Sequence, residues 1–138
     1  MDSCIHCKVP MQSGETSLEE TVAGRDFKVT VPALVCPACG EAYIEAAEIK
    51  RYEFFVAKEL ALHGPPTGEA FLFMRKTLGM PAVAAAALFG LTPETVSRWE
   101  HGHREANPQT VFLLGSIVLD HLAGVTTTVD RLQTQFAA

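Results

Sequence analysis

The sequence has no apolar stretch approaching the roughly 18 residues that a bilayer-spanning helix needs. Its start, Met1-Asp2-Ser3-Cys4, lacks the basic and apolar regions of a secretion signal. The expectation is a cytoplasmic protein with no membrane partner, in which cysteines stay reduced and metal explains them better than disulfides. Positive charge is also scarce: Lys+Arg number 11 against 16 Asp+Glu, for a net charge of −5. Any attraction to a polyanion must therefore come from a local patch. No Ser/His/Asp order can be placed on one site, and no glycine loop is built to cradle phosphate, so no enzyme is expected. No internal repeat is present.

What is there is globular composition, 48% hydrophobic and 20% charged over 138 residues, enough for one ordinary domain or two small ones. The charge is uneven. Residues 1–66 hold 10 acidic and 6 basic side chains, whereas 67–138 hold 6 and 5.

All four cysteines precede residue 40. Between them, Glu19 to Val31 reads as a hairpin: Phe27, Val29 and Val31 alternate with polar residues and Gly24 sits at the turn. From Glu45 to about His63, Ile49, Tyr52, Phe55, Val56, Glu59 and Leu60 recur at helical spacing. Gly64-Pro65-Pro66-Thr67-Gly68 then breaks the helix, and the domain boundary is expected at this 64–68 hinge. Short helices follow at about 69–78, 81–88, 92–100 and 109–122, with a last segment to about 136. The fold class is thus α+β: a small cysteine-bearing hairpin domain with a linking helix over 1–63, then an all-α domain over 69–138.

Cys4-x-x-Cys7 and Cys36-x-x-Cys39 are paired dithiolates, each able to bite one metal from a tight turn. Gly40 lets backbone amides turn toward the sulfurs. The 28 residues between the pairs exceed the usual spacing of this pattern, and the hairpin absorbs the excess. Four soft ligands close the site to water and substrate, so one structural Zn²⁺ per chain is expected, in a module with too few large apolar side chains to fold without it. Redox or disulfide chemistry is the alternative. His6, between the first two cysteines, is read as a surface residue with a ligand role as the lesser alternative.

In the second half, Leu88 and Phe89 end one apolar helix face, and Gly90 supplies a tight turn. Thr92 is a good N-cap, and Pro93 stands at the first helical position. Val96 and Trp99 face inward at spacing three, leaving Pro93, Glu94, Thr95, Ser97 and Arg98 on the open side. A short helix, a glycine turn and a second helix with a polar outer face have the geometry that enters a DNA major groove.

Leu78-Gly79, Phe89-Gly90, Ser97-Arg98-Trp99-Glu100 and Gly102 resemble the Xre/phage-repressor helix-turn-helix family. Taken with the N-terminal cysteine pairs and hairpin, the chain up to about Leu122 resembles the MqsA family of antitoxins. That resemblance implies a zinc domain that neutralises a toxin, an RNase by kind, and an Xre domain that forms a homodimer on double-stranded operator DNA and represses transcription. It implies Arg98 as a base-reading arginine, whose fork suits guanine, and Thr92 as a phosphate-contacting N-cap. It also implies Arg75 and Glu100 as an internal bridge between helices. Glu94, Thr95 and Ser97 complete the candidate DNA-facing set, with Arg104 as a phosphate contact beyond the helix. His101 and His103 flank Arg104, but neutral imidazole adds little attraction. Two positions depart from the family: Pro81-Ala82 stands where a polar Ser-Gln opens helix two, and Glu94 where Asn is frequent. Glu94 can accept from cytosine N4 or simply favour the helix N-terminus. A stand-alone Xre regulator with no toxin is the second reading.

Val111, Phe112, Leu113, Leu114, Ile117, Val118, Leu119 and Leu122 form an apolar arc too wide for one core-facing stripe. The surplus, extended by Val125, Val129, Leu132 and Phe136, reads as a homodimer seam, with intramolecular docking of the last segment as the alternative.

Overall fold

The computed structural model describes residues 3–136; the outermost residues of the two expected domains, 1–2 and 137–138, lie outside this range. Two compact units are present. The first runs to Thr21 and resumes over Arg25–Glu53, and the second comprises Val22–Gly24 and the chain from Phe54 onward.

In the first unit β1 (Gln12–Val22), β2 (Arg25–Val35) and β3 (Ala42–Tyr43) form a sheet in the order β1-β2-β3. The two residues between β1 and β2, Ala23 at φ 53° and Gly24 at φ 76°, both take the left-handed conformation of the tight hairpin turn whose twist matches the strands. Phe27 and Val31 are buried while Lys28 and Thr30 between and beside them are exposed, the expected alternation. Both strands are longer than the sequence alone indicates. Pro32 sits inside β2 because β3 pairs only with Leu34 and Val35, so at Pro32 one side of β2 is open and no ladder donor is lost.

α1 (Ala46–His63) was expected as a linker, with the division after it at 64–68. The division instead falls inside α1, between Glu53 and Phe54. Physical contacts explain this. Phe54 stacks on His121 with ring centroids 4.7 Å apart and planes within 3°. Ala61 lies so near α5 that a Cβ placed on Gly115 would meet it at 3.1–3.2 Å. Tyr52, Val56, Ala57 and Leu60 are buried, whereas Ile49 and Phe55 of the anticipated stripe are exposed.

Beyond the Gly64–Thr67 break come α2 (Gly68–Thr77), α3 (Ala82–Phe89), α4 (Pro93–Glu100), α5 (Pro108–Leu122) and α6 (Thr127–Gln135). Gly68, expected in the hinge, opens α2, and Thr67 caps it by accepting from the Ala70 amide. The helical core is Phe71, Met74, Val96, Trp99, Val111, Leu114 and Val118, with Phe71 edge-on to both Phe89 and Trp99. α6 packs on α5 and α3, and Leu132 is its buried residue. Leu132 therefore follows the intramolecular alternative, while Val125 and Phe136 remain exposed. Among the described residues, no single helix is long and apolar enough to cross a membrane.

Candidate functional site

The two Cys-x-x-Cys turns are copies of one knuckle. The Lys8 amide donates to the Cys4 carbonyl at 2.8 Å, and the Gly40 amide donates to the Cys36 carbonyl at 2.9 Å. The Cys4 amide in turn donates to the Val9 carbonyl and the Cys36 amide to the Glu41 carbonyl, at 2.9 and 2.8 Å. Each knuckle needs a left-handed residue four positions after its first cysteine: Gly40 at φ 78° in one and Lys8 at φ 62° in the other. A left-handed non-glycine residue costs about 1–2 kcal/mol. Lys8→Gly should therefore raise the stability of the metal-loaded protein by about 0.5–1 kcal/mol after glycine's extra chain entropy is subtracted. A lower thermal midpoint in K8G would contradict this.

The knuckles bring the sulfurs of Cys4, Cys7, Cys36 and Cys39 within 4.8 Å of one another. The Cys4–Cys39 Sγ separation is 3.8 Å. A tetrahedral ion with metal–sulfur bonds of about 2.3 Å spaces its sulfurs by about 3.8 Å, whereas a disulfide requires about 2.05 Å. The Cys7 amide, followed by that of His6, holds the Cys4 thiol below its ordinary range. In the same way the Cys39 amide lowers Cys36 to about 7. The Cys39 sulfur beside it pushes Cys7 up to about 12. Donors aimed at the first sulfur of each pair stabilise thiolate, and crowded thiols ease their repulsion when a cation sits among them. The residues fit one soft, tetrahedral metal ion. Cys4 and Cys36 also form a buried cluster with Met11, around which Cys7, Val9, Leu34 and Tyr43 pack. His6 is exposed and is not among the grouped ligand atoms.

In the second unit, Gly90 ends α3 at φ 68°. Thr92 caps α4 by accepting from the Thr95 amide at 3.1 Å, with Pro93 in the first turn. Val96 and Trp99 are buried; Pro93, Glu94, Ser97 and Arg98 are exposed along one side. Thr95 differs from that set. It is half-buried and its hydroxyl lies 3.0 Å from that of Thr92, so it serves the cap. Arg104 is exposed in the loop after α4, which folds back on the helix: the His103 and Arg104 amides both donate to the Arg98 carbonyl.

Two contacts fix where α4 points. Arg75 of α2 forms a bidentate pair with Glu100, Nε to Oε2 at 2.7 Å and Nη2 to Oε1 at 2.9 Å, and Nη1 donates to the Met80 carbonyl at 3.0 Å. The side chains are 11% and 4% exposed. The second contact is Gly68, where any Cβ would fall on the Trp99 carbonyl, so only glycine permits α2 to begin against the end of α4. The pair was anticipated and the Gly68 contact was not; a glycine directly after an N-cap threonine was its only trace in the sequence. Pro81 caps α3 with no side-chain hydrogen bond, which fits the loss of the polar residue there.

No curated protein and no solved structure matches the chain. Residues 73–116 match the helix-turn-helix family model, spanning α2 to mid-α5. The second unit therefore carries an Xre-type helix-turn-helix, which is a DNA-binding domain.

Proposed function

We propose that this chain is a sequence-specific transcriptional repressor that also serves as the antitoxin of a toxin–antitoxin pair. The observation that carries the DNA half is the outer face of α4. It presents Glu94, Ser97 and Arg98 to solvent while the Arg75–Glu100 pair and Gly68 hold the helix at a set angle. Arg98 reads a guanine edge with its two-pronged guanidinium, Ser97 and Glu94 contact neighbouring positions, and Thr92 and Arg104 meet phosphates. Thr95 contributes through the cap. One short helix buries too little surface for useful specificity, so two copies act together, joined through exposed Phe112 and Leu113 of α5, Val125 in the connection after it and Phe136 just beyond α6.

Zn²⁺ is the ion for the four cysteines, because a closed tetrahedral thiolate set with no open position suits a structural zinc. The metal-held unit is the toxin-binding part. Support comes from the resemblance described above and from the acid-rich first half, which suits a basic partner. Both activities work by occlusion and need no turnover.

Arg98→Ala should weaken binding to a duplex of the chain's own promoter by about 1–3 kcal/mol and relax preference at one base pair, with folding intact. Undiminished binding by R98A in a fluorescence anisotropy titration would show that α4 is not the reading helix. The antitoxin half has its own test: the product of the adjacent gene should arrest growth when expressed alone, and co-expression of this chain should relieve the arrest. If it does not, a solitary regulator remains.

A further inference from the structure

His101 follows α4 as its C-cap residue and is exposed. Its Nδ1 lies 2.8 Å from the backbone oxygen of Ser97. A carbonyl oxygen can only accept, so Nδ1 carries the hydrogen and the tautomer is set. The Ser97 hydroxyl approaches the same nitrogen at 3.4 Å. Nε2 is left as the ring's outward polar atom. In a neutral ring of this tautomer Nε2 bears only a lone pair, which a phosphate oxygen repels. In a protonated ring it becomes a charge-assisted donor that a phosphate accepts strongly.

Position supports a phosphate as the target. His101 lies four residues after Ser97 and seven after Glu94, on the same exposed stripe of the helix. Seven residues advance about 10 Å along a helix axis, while the major groove is about 12 Å wide. With the first turn of α4 at the base edges, His101 therefore stands at the groove wall, where the sugar-phosphate chain runs.

We propose that His101 is a backbone contact that operates only as imidazolium, so that DNA binding takes up a proton and tightens as pH falls. This rests on the DNA-binding reading above. The charged groups around the ring come from three places. Glu94 and Arg98 share its helix. A cavity of about 680 Å³ that His101 lines is also lined by Glu69 of α2, Glu100, and Arg104 and Glu105 of the following loop. His103 lies with its ring centroid 6.5 Å away. Glu100 is committed to Arg75. An arriving phosphate places negative charge beside Nε2 and so favours the imidazolium.

The test titrates the zinc-loaded full chain against a fluorescent duplex of its own promoter at about pH 8 and about pH 6, at constant ionic strength. Wild type should bind about five- to tenfold tighter at the lower pH. H101N should lose most of that gain, H103N should keep it, and H101K should bind at both pH values with the tighter affinity. A wild type indifferent to pH, or an H101N that keeps the full gain, overturns the proposal. So does an H101N weakened equally at both pH values, which would assign the neutral ring to a base amino group. Failure of wild type to prefer the promoter over random duplex at either pH defeats the DNA-binding reading itself, a distinct result.

Discussion

Cys36→Ser will unfold the first unit and leave the second standing. Cys36 is 1% exposed and Cys4 is fully buried, and with Met11 they form the centre of the small core beside the knuckles. Structural zinc contributes an apparent ~10–16 kcal/mol at neutral pH, against a total stability of about 5–15 kcal/mol for an ordinary domain. A small module that carries two of its four ligands in its core therefore loses, with one thiolate, more than Phe27, Val31 and Tyr52 can make good. The helical domain has its own core in Phe71, Met74, Val96, Trp99, Leu114 and Val118. C36S should release its metal to a colorimetric chelator, lose hydrogen-exchange protection over β1 and β2, and keep it over α2 to α5. Because α1 divides at Glu53 and Phe54, protection along that helix should fail in its first two turns and persist near Ala61, which packs on Gly115. Binding to the promoter duplex should stay within about threefold, since Arg98 and its supports lie in the second unit. Retained protection over β1 and β2 in metal-free C36S would show that the sheet folds without the ion.

What the sequence makes legible follows from how local each signal is. The hairpin turn needs only adjacent residues with positive φ, and Gly24 announces it. Thr92-Pro93 announces the start of α4 in the same way, and the cysteine spacing announces the cluster. The Arg75–Glu100 bridge spans 25 residues and came from a family likeness rather than from any local pattern. The misjudged features are contacts between distant segments. Gly64-Pro65-Pro66 is a true helix break, but a break in secondary structure is not a break in packing, and α1 crosses from one unit to the other before it ends. The hairpin read from the sequence stops at Val31, whereas β2 runs on through Pro32 to Val35, because nothing local says that its partner β3 is two residues long. Gly68 reads as linker until the Trp99 carbonyl is seen beside it. His101 reads as a weakly charged bystander until its Nδ1 is found on the Ser97 oxygen.

Glu100→Ala should be severely damaging to the helical domain. It leaves the Arg75 guanidinium, 11% exposed, to the Met80 carbonyl with no carboxylate opposite it. Breaking a buried pair from one side costs about 3–5 kcal/mol, because the surviving charge keeps its desolvation penalty without the compensating carboxylate. That is a large fraction of a domain's stability, so the denaturation midpoint of E100A should fall steeply. The double variant Arg75→Met with Glu100→Leu behaves differently. With both charges replaced by apolar side chains of similar reach, stability should return to within about 1–2 kcal/mol of wild type. The ion pair would then be a device for aiming α4 rather than for holding the fold together, because two forked hydrogen bonds set an angle that methyl groups do not. The double variant should consequently fold well yet lose discrimination between the promoter and a one-base mismatch more than it loses affinity for random duplex. Equal discrimination in wild type and double variant would assign the aiming of α4 to the contact of Gly68 with Trp99 alone.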